Sequence, residues 1–145
     1  MSVAKFLNPE EESQILEAIR IAETNTSGEI RVHLETECKT EVLERAQLVF
    51  KKLNMHKTKL RNGVLFYIAT DSHHFAILGD KGIDKKVPKD FWDKTKETVL
   101  SRFKNKEITK GLEEGILEAG EQLKKFFPYQ SDDKNELSDE ISIGE

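Results

Sequence analysis

The strongest constraint in this chain is a pair of short apolar runs that belong together as neighbouring strands. Residues 61–93 read RNGVLFYIATDSHHFAILGDKGIDKKVPKDFWD. Asn62-Gly63 is a turn pair, and Val64 to Ala69 is an apolar run rich in β-branched and aromatic residues. A polar turn, Asp71 to His74, separates it from a second run, Phe75 to Leu78. Such runs, bounded by turn residues, predict two strands joined as an antiparallel hairpin. The second strand leaves through Gly79-Asp80-Lys81-Gly82-Ile83-Asp84, which predicts a tight, glycine-punctuated acidic loop. Any site in this chain is expected to include that loop.

Upstream, Asn8-Pro9-Glu10-Glu11 has the signature of a helix start: an N-cap, a proline at the first helical position and acids in the first turn. Ile15, Ala18, Ile19 and Ala22 recur at helical spacing and predict a helix over 9–24. Gly28 then releases the chain into Glu29-Ile30-Arg31-Val32-His33-Leu34, whose alternation is that of a strand with one apolar face. The opposite face, Glu29, Arg31 and His33, is expected to be exposed or at a sheet edge; the alternative is a partly buried Glu29–Arg31 pair near a site.

Val42, Leu43, Ala46, Val49, Phe50 and Leu53 define a second helix, with Thr40 as its expected cap. Strand, helix and strand make a βαβ unit, so the first two strands should be parallel with a right-handed crossover. Beyond the acidic loop, Phe91, Trp92, Thr95, Val99 and Phe103 mark a third helix. Thr109 should cap a fourth, with Leu112, Ile116, Ala119 and Leu123 facing inward and Pro128 beyond its end. The expected fold is a three-layer αβα sandwich around a small mixed, four-stranded sheet, three strands being visible and a fourth hidden in a loop. Residues 1–129 form one domain; the acidic stretch 130–145 reads as a disordered tail.

Composition narrows the function. A net charge of −4 argues against nucleic acid as the main partner. A single cysteine, Cys38, excludes an internal disulfide and a multi-cysteine zinc site. Neither a membrane-spanning run nor a secretory signal is visible, so the expectation is a cytoplasmic monomer. Phosphate loop, dinucleotide fingerprint and nucleophile elbow are all absent from the sequence.

What remains is acid. Glu35 and Glu37 follow the first strand, Asp71 follows the second, and Asp80 and Asp84 follow the third. Carboxylates beside glycines and free loop carbonyls suit a hard cation, calcium first and magnesium second. The acid–glycine–acid spacing of Asp80, Gly82 and Asp84 lets a loop curl round an ion, whereas a solvated acidic loop is the bland alternative. The third strand runs opposite to the others, so all five acids cannot share one site unless a loop crosses over. His73-His74 is a solvated turn pair, and Phe91-Trp92 reads as core.

The sequence resembles the TPM domain family, also called the TPM phosphatase or DUF477 family. The resemblance rests on Thr26-Ser27-Gly28-Glu29-Ile30-Arg31-Val32, Asn62-Gly63 with the run to Ala69, Gly82-Ile83-Asp84, Phe91-Trp92, and Gly111, Gly115-Ile116 and Gly120. It extends from Phe6-Leu7 to Phe127-Pro128. It implies an αβα sandwich and, from a plant thylakoid member, acid phosphatase activity with a bound divalent metal. Some members are membrane-anchored; this chain looks like a stand-alone form. Two departures from the family pattern stand out. Arg61 precedes Asn62-Gly63 where many relatives have aspartate, and Asp80 is an acid many relatives lack. Three functions follow as expectations: a divalent-cation-binding domain, a metal-dependent phosphatase, or a metal-free module for an unidentified protein.

Overall fold

The computed structural model describes residues 6–129 and 137–144. Helix α1 spans Pro9–Asn25 and opens with a full capping box. The Glu11 amide donates to Asn8 Oδ1 at 2.8 Å, and the Asn8 amide donates to Glu11 Oε1 at 2.9 Å. Strand β1 covers Glu29–Glu35, α2 covers Val42–Lys52, and the hairpin consists of β2 (Gly63–Ala69) and β3 (His74–Gly79). Three more helices follow: α3 (Lys81–Lys86), α4 (Asp93–Lys104) and α5 (Ile108–Leu123), with β4 (Ser142–Ile143) last.

The sheet order is β3-β2-β1-β4. β1 and β2 run parallel from Glu29↔Gly63 to Glu35↔Ala69, and β2 and β3 are antiparallel. Mixed sheet and helical layers on both faces are as the periodicity predicts. The sheet's two faces separate by residue parity. Ile30, Val32, Leu34, Val64, Phe66 and Ile68 pack with the apolar faces of α1, α4 and α5 in the larger core. Leu65, Tyr67 and Ala69 face Ala46, Val49 and Phe50 of α2, together with Met55, in a smaller one. Every residue of β2 is buried, as an inner strand covered on both faces requires.

Several expectations change. Residues 81–86 are helical rather than loop, because Asp80 caps them: its carboxylate accepts from the Lys81 amide at 2.8 Å. Glu41, not Thr40, caps α2, its carboxylate accepting from the Leu43 amide at 2.7 Å. α5 begins before Thr109, whose hydroxyl instead donates to Glu11 Oε2 at 2.9 Å and ties α5 to the start of α1. The polar face of β1 is neither exposed nor on an edge strand. β4 lies beyond it, and Glu29 and His33 are each only 4% exposed.

The fourth strand comes from the stretch that composition reads as disordered. Ile141 is buried in the larger core, and Ser142–Ile143 pairs in parallel with His33–Leu34. Alternating Ile141 and Ile143 supply apolar area that an acidic average conceals. Residues 130–136 and 145, part of the same expected tail, lie outside the described residues.

α1 and α5 pack closely enough that Gly120 meets the backbone of Ala22. A β-carbon there would sit 2.8 Å from Ala22 Cα. Gly120→Ala should therefore lower the stability to urea by about 1–3 kcal/mol through overpacking, although alanine is the better helix former. A chemical-denaturation midpoint equal to or above that of the parent chain would contradict this packing.

Candidate functional site

The five acids fall on two opposite edges of the sheet, as the strand directions require. Glu35, Glu37 and Asp71 lie at the carboxyl ends of β1 and β2. Asp80 and Asp84 lie at the far end, beside the start of β2, where the Asp80 amide donates to Gly63 O at 2.9 Å. Among the described residues, no three histidine, cysteine, aspartate or glutamate side chains gather to hold a metal ion.

Asp80 is already satisfied by a cation of the chain itself. Arg61 donates from Nε to Oδ2 at 2.7 Å and from the guanidinium Nη2 to Oδ1 at 2.9 Å, a bidentate fork. With both oxygens occupied and its side chain 5% exposed, Asp80 does not fit the role of metal ligand. Arg61 and Asp80, the two positions that the resemblance singles out as departures, thus bind each other. Gly82 keeps this corner tight, because a β-carbon there would lie 2.6 Å from Arg61 O. Asp84 sits exposed in the first turn of α3, its carboxyl pushed up by partial burial and by the charge of Asp80.

On the other edge the loops after β1 and β2 are bound together. The Thr70 amide donates to Glu35 O at 2.9 Å, the Asp71 amide to Thr36 O at 2.8 Å, and the Cys38 amide to Ser72 Oγ at 3.0 Å. Glu37 and Asp71 are exposed on these tied loops. Glu35 is not available to an ion there, because it points back under the sheet.

Glu35 is the centre of a buried polar network that sequence reasoning missed. It is 1% exposed. Arg45 of α2 donates from Nε to Oε2 at 2.9 Å and from Nη2 to Oε1 at 2.7 Å. The Tyr67 hydroxyl of β2 donates to Oε2, and His33 Nε2 lies 2.9 Å from Oε1. The other ring nitrogen, His33 Nδ1, meets Ser142 Oγ of β4 at 2.8 Å. His33 and Tyr67 also stack, with ring centroids 5.8 Å apart. Burial by itself would raise the Glu35 carboxyl, but hydrogen bonds from Arg45, Tyr67 and His33 prevail and hold it at about 2. Burial pushes His33 down, against the pull of Glu35, and pushes the Tyr67 hydroxyl up. The signal for this network was present: a strand placed inside the sheet by its βαβ unit, yet polar at every second residue, must find buried partners.

A second carboxyl site borders the same strand. Glu23 Oε2 accepts the outward Ile30 amide at 3.1 Å. Burial, a hydrogen bond with Asp139 and the charges of Asp139 and Glu29 push its carboxyl up to about 9.

These features define a TPM-type αβα domain, and residues 1–122 match the family model described as TPM domain. The chain belongs to the TPM domain family. It is similar to BA42 protein from the psychrophilic bacterium Bizionia argentinensis, solved by NMR, with 49% identity over 99% of both chains and a TM-score of 0.92. The N-terminal domain of cg2496 protein from Corynebacterium glutamicum shares the fold at 10% identity, with a TM-score of 0.63 over 97% of this chain and 82% of that one. Comparison with curated protein sequences gives no match. No helix among the described residues is long and apolar enough to cross a membrane.

Glu35 and Glu23 predict opposite pH responses. Glu35 has a folded value below its ordinary one near 4.5, so its stabilisation is complete above that value and is lost as pH falls toward about 2. Glu35→Gln should flatten acid unfolding across this window and cost about 3 kcal/mol at neutral pH, because Arg45 loses its anion. Glu23 has a raised value, so the fold loses stability as pH climbs from about 4.5 to about 9. Glu23→Gln should raise the thermal midpoint at pH near 8 and leave it unchanged near pH 4. Thermal melts of both variants across pH check the two signs.

Proposed function

We propose that this TPM domain is a cytoplasmic binding module whose acidic loops take a divalent cation, calcium first and magnesium second. The observation that supports this reading is the tying of the β1 and β2 exit loops, whose backbones carry Glu37 and Asp71. Oxygen donors on a fixed frame, with loop carbonyls and water completing the shell, match the needs of a hard cation. Few charged ligands imply a weak site, with a dissociation constant of about 10⁻⁴–10⁻³ M. Asp84 is a lone carboxylate on the far edge and ranks second. Asp80 and Glu35 act as structural anions, neutralised by Arg61 and Arg45. Hydrolysis of a phosphomonoester is the weaker reading, because His33 and Glu35, the pair suited to acid–base work, are buried and bound to each other.

Titration with calcium, followed by amide shifts of the full chain, tests this. Saturable shifts confined to residues 36–38 and 70–72, reversed by chelator and lost in Asp71→Asn, are expected. An unchanged spectrum at several millimolar calcium and magnesium would reject the reading.

A further inference from the structure

Charge is unevenly shared along this chain. Residues 51–106 carry 14 lysines and arginines against six acids, whereas the remainder carries nine against 21. Folding gathers part of that basic excess at the end of the sheet where β1 and β2 begin. Three segments meet there: the loop 57–61 before β2, helix α3 after β3, and the chain 124–129 beyond α5. The Gly82 amide donates to Arg61 O at 2.9 Å and joins α3 to the loop. Lys86 Nζ lies 4.7 Å from the centre of the Phe127 ring and joins α3 to the last segment. The chain entering β1 ties the other two together. Its Ser27 amide donates to Phe127 O at 2.8 Å, and Ser27 O accepts from Asn62 Nδ2 at 2.9 Å.

Lys57 and Lys59 on the loop are exposed, as are Lys81, Lys85 and Lys86 on α3. Lys89, Lys124 and Lys125 extend the exposed charge round the same end. Among them Asp84, Asp90 and Glu121 are exposed acids, and Asp80 is neutralised by Arg61. Two large apolar side chains interrupt this polar surface: Leu60 is 47% exposed and Tyr129 is 51% exposed. Leu60 is held outward by a fixed turn. Both the Arg61 amide and the Asn62 amide donate to the buried Thr58, to its carbonyl and its hydroxyl in turn, each at 3.3 Å.

The geometry points to this end of the domain as a docking face for the surface of an anionic lipid bilayer. Lysines are compact charges on long stems, suited to diffuse attraction by many headgroups. Arg61, whose planar fork could read a single phosphate or a base edge, is already closed on Asp80. Leu60 enters the interfacial layer, and Tyr129 sits at headgroup level as an amphipathic ring. The acids set the orientation. Glu10, Glu11 and Glu12 open α1, whose 17 residues end at Asn25, so they lie about 25 Å away from the basic end. Glu37 and Asp71, at the exits of β1 and β2, also face away from the bilayer. Docking therefore leaves the proposed cation loops open to solvent and stands apart from whether they bind an ion.

The test is co-sedimentation of the full chain with vesicles of phosphatidylglycerol and phosphatidylcholine in equal parts, against vesicles of phosphatidylcholine alone. All samples contain chelator, so the outcome is independent of calcium. Expected are binding to the anionic vesicles at low salt, none to the neutral ones, and release at about 1 M salt, where screening acts within about 3 Å. Lys81→Gln with Lys85→Gln should weaken partition about 25-fold, at about fivefold per lysine removed. Leu60→Ser should weaken it at least about fourfold at unchanged charge, the worth of one methylene withdrawn from the bilayer. Lys39→Gln with Lys104→Gln removes two exposed lysines at the far end, past the exit of β1 and beside His73 of the hairpin turn, and should leave partition unchanged. Thermal midpoints equal to the parent's keep these losses distinct from unfolding. No binding to anionic vesicles at low salt, equal binding to neutral ones, or an equal loss in the far-end variant would each overturn the proposal. A nucleic-acid duplex or an acidic peptide bound as tightly as the vesicles, with Leu60→Ser without effect on either, would assign the face to a polyanion and overturn the bilayer reading.

Discussion

The buried carboxylate of Glu35 ties α2 to β1 and β4, which lie outside the apolar cluster of α2. It lies at the end of β1, takes a two-pronged bond from α2 through Arg45, a third from β2 through Tyr67, and a fourth from His33, which passes the contact to β4. The helical layer on this face is thin, since α2 covers β2 and β3 and leaves β1 without an apolar roof. A lone buried carboxylate costs several kcal/mol in desolvation, and only a complete shell of donors offsets it. The shell is complete here, which fixes the angle of α2 and the seat of the last strand at once. An apolar side chain would fill the same space without specifying either.

The distribution of the acids follows from topology. A parallel pair brings Glu35 and Glu37 to the same edge as Asp71, and the hairpin return sends Asp80 and Asp84 to the other. Each edge also contains an arginine that claims the most buried acid, Arg45 for Glu35 and Arg61 for Asp80. Of the five carboxylates, two are buried and paired with arginines, and three lie exposed at the surface.

Much of the architecture was legible in the order of residues. Alternation over 29–34, the 3.6 period of the helices and the turn pair Asn62-Gly63 define the βαβ unit and its hairpin, because these patterns are local. Separation of the acids onto two edges was also legible, since it needs only strand direction. Three things were not. Asp80 looked like a loop acid because its helix is only six residues long and its cap resembles a metal ligand in one dimension. The Glu35 network joins residues 10, 32 and 109 positions apart, which no local pattern encodes. The fourth strand was hidden because two isoleucines hardly alter the average of an acidic stretch, although a β-strand needs only such an alternation.

The late arrival of β4 has a consequence for how the chain reaches this state. β1 acquires its β2 neighbour through an ordinary crossover, but His33 waits for a partner 109 residues further on. Closing a loop of that length is entropically costly, and until it closes the outer edge of β1 has no strand beside it. An unpaired edge is an invitation to intermolecular pairing. Glu29, Arg31 and His33 place polar groups along that edge, and Glu23 occupies the outward amide of Ile30. The residues that make β1 look unlike an inner strand are thus of the kind that blunt an open strand edge.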